Sequence, residues 1–183
     1  QGQGQGWCPG APAGATLPKF RRVASGGTFD HIHSGHKILL TLALAICSSE
    51  LTIGVTSAEL LAAKVNADSI ADIDHRRRNV VDFVKAVVSP EKCTFDEAVT
   101  DTVTDIELSS APFVVHTPTL HDHFGPAITN PLMDAIIVSS ETIGGALKAN
   151  SIRKDRGMTP LAIYVVRRCN ASTLSSTFLR KSI

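Results

Sequence analysis

The sequence predicts an α/β fold, a doubly wound, Rossmann-like parallel sheet in a single domain, and three observations carry that expectation. From Arg21 onward short β-branched runs alternate with helix-length periodic segments, a pattern that calls for right-handed crossovers and therefore parallel strands covered on both faces. With 43% hydrophobic and 19% charged residues, the 183-residue chain can fill one real core and is too short for two ordinary domains. No internal repeat is visible. In sheets of this kind ligands bind beyond the carboxyl ends of the strands, so chemistry is to be sought in the strand-to-helix loops.

The elements follow in order. Arg22 to Ser25 reads as a short strand ended by Gly26-Gly27. A helix runs from Ser34 or Gly35 to about Ser49, with Ile38, Leu39, Leu42 and Ile46 at helical spacing. Leu51 to Val55 is a buried strand. Ser57 to about Val65 and Asp74 to Val88 read as helices, the second opening on an acid and stopped by Ser89-Pro90. Residues 91–111 support two readings: Thr and Val alternation suggests a strand, and scattered acids suggest an exposed insertion. Phe113 to His116 and Ala135 to Ser139 read as strands, separated by a loop carrying Gly125, Pro126 and Pro131. Gly145 to Arg156 reads as a helix closed by Gly157, and Leu161 to Arg167 as the last strand.

Composition excludes several functions. The 18 Lys+Arg against 17 Asp+Glu leave a formal charge of only +1, without the basic surplus of a polyanion binder. Aromatics at 5% offer few rings for stacking bases, so no nucleic-acid partner is expected. The longest nearly apolar run, Ile38 to Cys47, is about half of the roughly 20 residues a membrane-spanning helix requires. Gln1 to Gly6 alternate Gln and Gly, then pass Pro9, Pro12 and Gly14 with no apolar stretch or basic start, so no secretory signal is expected. Residues 1–19 lack the apolar content that would offset their ordering entropy and read as a disordered tail or appended segment, leaving 20–183 as the domain. Cys8, Cys47, Cys93 and Cys169 form no CxxC pair, which argues against a disulfide framework or cysteine zinc site and makes a reducing cytoplasm the simplest compartment.

The most informative segment is Gly26 to His36, between the first strand and the first helix. Its glycines permit close backbone approach, and the N–H groups at a helix start attract phosphate. His33 and His36, three residues apart, can face one ligand from the first helical turn. A second segment, Leu174 to Arg180, follows the last strand. Its consecutive hydroxyls Ser175, Ser176 and Thr177 can cap free N–H groups or wrap a polyphosphate, with Arg180 adding a bidentate cation.

His33-Ser34-Gly35-His36 resembles the HxGH signature of the nucleotidyltransferase superfamily, and Ser175-Ser176-Thr177-Phe178-Leu179-Arg180 its distal SSTxxR signature. Gly26-Gly27-Thr28-Phe29-Asp30, His123-Phe124-Gly125-Pro126, and Val138-Ser139-Ser140-Glu141-Thr142 with Gly144-Gly145, Asn150 and Arg153 are similar to the phosphopantetheine adenylyltransferases of archaeal and eukaryotic type. The resemblance covers about residues 21–183; residues 91–111 are longer than the usual connection, and with the sequence ending soon after Arg180 no fused dephospho-coenzyme A kinase is expected. It implies adenylyl transfer from ATP to 4′-phosphopantetheine, giving dephospho-coenzyme A and pyrophosphate in coenzyme A biosynthesis.

A phosphate attacking the α-phosphorus needs no general base, because its second pKa near 6 leaves it mostly ionised at neutral pH. Catalysis then reduces to positioning two anions and neutralising charge in an in-line displacement. The resemblance implies that Thr28, His36 and Lys64 are catalytic, Thr28 orienting the attacking phosphate and His36 donating to the α-phosphate or bridging oxygen. Thr28 and Lys64 would also meet phosphopantetheine. Gly27, Phe29, His33, Gly35 and His36 would meet the nucleotide, and Ser175, Ser176, Thr177 and Arg180 would hold its β- and γ-phosphates with Mg²⁺ bridging them. Arg153 would add charge. Arg76, Arg77 and Arg78 advance about 100° per residue around a helix and cannot all address one ligand, so Arg76 alone is a candidate. His116, His121, Asp122 and His123 could be read as a metal set, but no regular pairing supports it and no protein metal site is expected. The alternatives are another adenylyl- or cytidylyltransferase, such as one acting on nicotinamide mononucleotide, a catalytically silent nucleotide-binding regulator, and, more weakly, a metal hydrolase.

Overall fold

The computed structural model describes residues 16–62, 69–88, 93–95, 106–108 and 113–167. Most of Gln1 to Lys19, all of the segment around Lys64 and all of the 175–180 segment lie outside them.

Strand β1 (Phe20–Gly27) runs through the middle of a six-stranded sheet. Helix α1 (Ser34–Ile46) returns the chain to β2 (Cys47–Thr56), parallel to β1. Beyond β2 come a single turn, α2 (Ala58–Leu61), and the longer α3 (Ile73–Val87). Residues β3 (Cys93–Phe95) and β4 (Ile106–Leu108) form a separate antiparallel pair. Then β5 (Val114–His116) and β6 (Thr119–Leu120) both pair in parallel with β2, as one edge strand interrupted at Thr117-Pro118. A short α4 (Pro126–Thr129) leads to β7 (Ala135–Ser139), α5 (Ile143–Asp155) and β8 (Ala162–Val166). The order β5-β2-β1-β7-β8 is parallel throughout, the doubly wound arrangement expected from the sequence.

Burial follows the pleat. In β1, Val23 belongs to the large core with Leu40 and Ile46 of α1 and Val80 and Val84 of α3. Its neighbour Ala24 belongs to a smaller core on the opposite face, with Ala127, Met133 and Leu161. Leu51 to Val55 are buried at every position, as strands covered on both sides must be. Gly54 is required by packing, since a Cβ there would lie 2.5 Å from the Leu120 side chain.

Several boundaries differ from expectation. Helix α1 stops at Ile46 rather than near Ser49, because Cys47 turns extended (φ −82°, ψ 140°) to pair with Phe20 and Ser48 Oγ donates to Phe20 O at 3.0 Å, which starts β2 early. The described helix after β2 covers only Ala58–Leu61. The 91–111 region contains the β3–β4 pair, so the strand reading applies to part of it. The loop between the fifth and seventh strands also contains one helical turn, α4, with Pro126 at its start, where a missing N–H is harmless.

Candidate active site

The carboxyl end of β1 is shaped by an uncommon backbone turn. Phe29 has φ 52°, a left-handed conformation rare for a bulky residue and held only where the surroundings fix it. They do so here: the Phe29 ring is 1% exposed, within the large core. Gly27 makes room for it, since a Cβ at that position would stand 3.2 Å from the ring. The turn leaves Thr28 half-buried and Asp30 buried. Asp30 Oδ1 accepts the Ala71 N–H at 2.9 Å, and Asn79 Nδ2 donates to the Asp30 carbonyl at 3.2 Å. Thr56 Oγ1 donates to the Gly27 carbonyl at 3.0 Å.

Two imidazoles mark the start of α1. His33 is the N-cap, its Nδ1 accepting the Gly35 N–H at 3.1 Å, a task that Ser, Thr or Asp more often performs. With Nδ1 used as an acceptor, neutral His33 carries its proton on Nε2 and is a donor there. His36 is oppositely polarised. Its Nδ1 lies 3.1 Å from the His31 carbonyl, which can only accept, so the neutral ring has Nε2 bare. The rings stack with centroids 4.0 Å apart, and Phe29 packs 5.1 Å from His36. Burial, helped by the neighbouring His33, pushes the His36 pKa down to about 4 against the His31 hydrogen bond. Gly35 leaves room for this stack: a Cβ would approach His33 Cε1 to 3.0 Å, so the ring would have to shift by a few tenths of an ångström.

The structure therefore gathers Gly27, Thr28, His33, Gly35 and His36 at the carboxyl end of β1, and it corrects three expectations. The Phe29 side chain is core and packs on His36, so its ring is not turned to a nucleotide and only its backbone is left for that role. Neutral His36 spends its N–H on His31, so donation from Nε2 requires a second proton. Arg153 is 0% exposed and its guanidinium donates to the carbonyls of Thr159, Ala127, Asn130, Pro131 and Met133. Those carbonyls lead into β7 and β8 at their amino ends, so Arg153 clamps the far side of the sheet and is not a phosphate ligand. Lys64, Ser175, Ser176, Thr177 and Arg180 lie outside the described residues.

The candidate metal set does not converge. His116 faces Glu50 at 3.8 Å, and Asp122 turns back to accept the N–H groups of Phe124 and Gly125. Among the described residues no three His, Cys, Asp or Glu side chains are placed to hold one ion.

The supporting polar groups Thr56 and Asn79 were not singled out by sequence reasoning, Asp30 only as the end of the Gly26–Asp30 motif, and Arg76 only as a ligand candidate. Arg76 is 1% exposed, and burial pulls its pKa down against the opposing carboxylates of Asp30 and Asp72. Its phase was the available signal, for Arg76, Val80 and Val84 recur every four residues along the buried face of α3.

A parallel sheet with a glycine turn and stacked imidazoles at its first helix defines the class: an α/β protein of the nucleotidyltransferase type. Residues 24–182 match the cytidylyltransferase-like family. The chain is 36% identical over 170 residues to the phosphopantetheine adenylyltransferase of Saccharomyces cerevisiae, covering 89% of this chain and 48% of the yeast protein. It is 32% identical over 166 residues to that of Pyrobaculum aerophilum, covering 89% of this chain and 92% of the relative. The chain thus spans about half the length of the yeast relative and nearly all of the archaeal one. Its fold is similar to the crystal structure of a protein of unknown function from Archaeoglobus fulgidus, with TM-score 0.61 and 27% identity, covering 84% of this chain and 95% of that one. The chain belongs to the cytidylyltransferase-like family, among its phosphopantetheine adenylyltransferases.

Proposed function

We propose that this chain transfers the adenylyl group of ATP to 4′-phosphopantetheine, releasing dephospho-coenzyme A and pyrophosphate. The observation that carries this reading is the stacked His33–His36 pair over the amino end of α1, beside the Gly27–Thr28 turn. The groups on offer are N–H and imidazole, a donor set suited to phosphate oxygens. An acceptor phosphate oxygen attacks the α-phosphorus, the new O–P bond forms as the bond to the bridging oxygen breaks, and pyrophosphate leaves in line. Thr28 orients the acceptor phosphate, His33 donates through Nε2, and His36 donates once protonated. Lys64 supplies fixed positive charge, and Ser175, Ser176, Thr177 and Arg180 grip the leaving phosphates.

Asp30, the carboxylate of this loop, is buried and committed to Ala71, so the loop has no anionic ligand set for a resident cation. Magnesium accordingly enters with the substrate as MgATP. No helix among the described residues is long and apolar enough to cross a membrane, and the reading places the reaction in the cytoplasm.

Pyrophosphate release from MgATP, measured with 4′-phosphopantetheine, nicotinamide mononucleotide and glycerol 3-phosphate as acceptors, tests the reading. The expected result is turnover with phosphopantetheine, abolished by chelating the metal because unshielded triphosphate repels the incoming phosphate. Preference for nicotinamide mononucleotide would establish a different acceptor, and nucleotide binding with no turnover on any acceptor would leave a regulator.

A further inference from the structure

We propose that Arg76 is a positioning residue for the transfer, tying the turn that carries Thr28 to the end of β2 and to the approach to α3. The side chain is 1% exposed and lies beneath the site, so it acts through the backbone it holds. Nε donates to the Ala71 carbonyl at 2.8 Å, and Nη1 donates to the carbonyls of Thr28 at 3.0 Å and Thr56 at 2.8 Å. Thr56 is the last residue of β2, and Ala71 precedes α3 by two residues, so the fork joins the carboxyl end of one strand to the entry of the helix packed on it. One planar fork thereby sets the Thr28 turn relative to the end of β2 and the start of α3.

The surrounding network fixes the same geometry from other directions. Asp30 holds the Ala71 N–H while Arg76 holds the Ala71 carbonyl, so both sides of that residue are pinned. Asn79 holds the Asp30 carbonyl from one turn further along α3, and the Thr56 hydroxyl holds Gly27. Every residue from Gly27 to Asp30 except the core-anchored Phe29 thus has its carbonyl tied by a side chain of β2 or α3. A guanidinium is suited to this because it presents several donors in a fixed plane; a lysine ammonium is a point charge on a flexible stem and cannot hold three carbonyls in that arrangement.

The inference rests on the adenylyl-transfer reading, and its test separates the two. Arg153→Lys serves as the matched control, since Arg153 is equally buried, also binds backbone carbonyls, and lies at the opposite end of the sheet. Steady-state kinetics with MgATP and 4′-phosphopantetheine are measured on wild type, Arg76→Lys and Arg153→Lys, with thermal melting of each. Both variants are expected to melt lower than wild type. Only Arg76→Lys is expected to lose kcat, by about tenfold or more, with the KM for ATP within about twofold, because the phosphate-gripping loops are not its charge. Asn79→Ala and Thr56→Val, milder changes in the same network, are expected to lower kcat severalfold and decide the matter where Arg76→Lys does not fold. Wild-type kcat in folded Arg76→Lys, or in both milder variants, overturns the inference, as does an equal loss in Arg153→Lys. Absence of turnover in the wild type overturns the adenylyl-transfer reading itself, and the inference with it.

Discussion

The proton inventory of two stacked histidines sets what the site can do before substrate arrives. His36 gives its only N–H to the His31 carbonyl, while burial and His33 keep a second proton off, with the pKa near 4. A triphosphate seated over the ring reverses that balance, because an adjacent anion favours the imidazolium. Binding of MgATP is therefore expected to draw a proton onto His36. Titration calorimetry in buffers of different ionisation enthalpy should show uptake that grows as pH falls and disappears in His36→Gln; buffer-independent heats would mean that the ring stays neutral. Without nucleotide the sign is opposite in consequence. Between the folded value near 4 and the unfolded 6.5 the unfolded chain binds more protons, so the His36 contribution to stability is full above 6.5 and is lost as pH falls toward 4. Melting curves across that range should be flatter in His36→Gln. In catalysis, His36→Ala is expected to lower kcat by about 10², the scale of one lost oxyanion donor, with a smaller change in nucleotide affinity. Near-normal kcat in a folded variant would remove His36 from the reaction.

Helix α1 earns its place in the site through its first turn. An imidazole caps it, and the ring leans over Gly35 so closely that a methyl group there would meet His33 at 3.0 Å. Alanine is the better helix former by up to about 1 kcal/mol, so propensity and function pull in opposite directions at this residue. Gly35→Ala is expected to leave urea-unfolding stability unchanged or raised by under about 1 kcal/mol, while kcat/KM falls about tenfold as the stacked pair is displaced. A variant with wild-type kcat/KM would show that the stack tolerates displacement. Helix α3 carries a related tension. Its buried face begins with a charge, Arg76, and continues with Val80 and Val84, so the element that packs on β2 also holds the loops above it.

At the scale of the molecule, the sheet presents two ends with separate tasks: Arg76 and the histidines gather at the carboxyl ends of the strands, and Arg153 closes the amino ends. The first described residues belong to neither. Residues 16–19 are irregular and exposed, with Lys19 donating to the Ala45 carbonyl at 2.7 Å. Removing everything before Pro18 is expected to leave both melting temperature and activity unchanged, since the Gln/Gly-rich start lacks apolar content for docking; a drop of several degrees would show that it packs on the domain. Strand-and-helix alternation by itself determined the parallel α/β class, and His33-Ser34-Gly35-His36 marked one loop of the site, because periodicity and a helix-start motif are local properties written into adjacent residues. The buried phase of Arg76 was also legible, in its four-residue spacing from Val80 and Val84. What Arg76 and Arg153 bind was not, for their carbonyl partners lie on distant segments that only folding brings within reach. Tertiary structure alone likewise decided the tautomers of His33 and His36, because a ring nitrogen is a donor or an acceptor according to the backbone group that the turn at Phe29 places beside it.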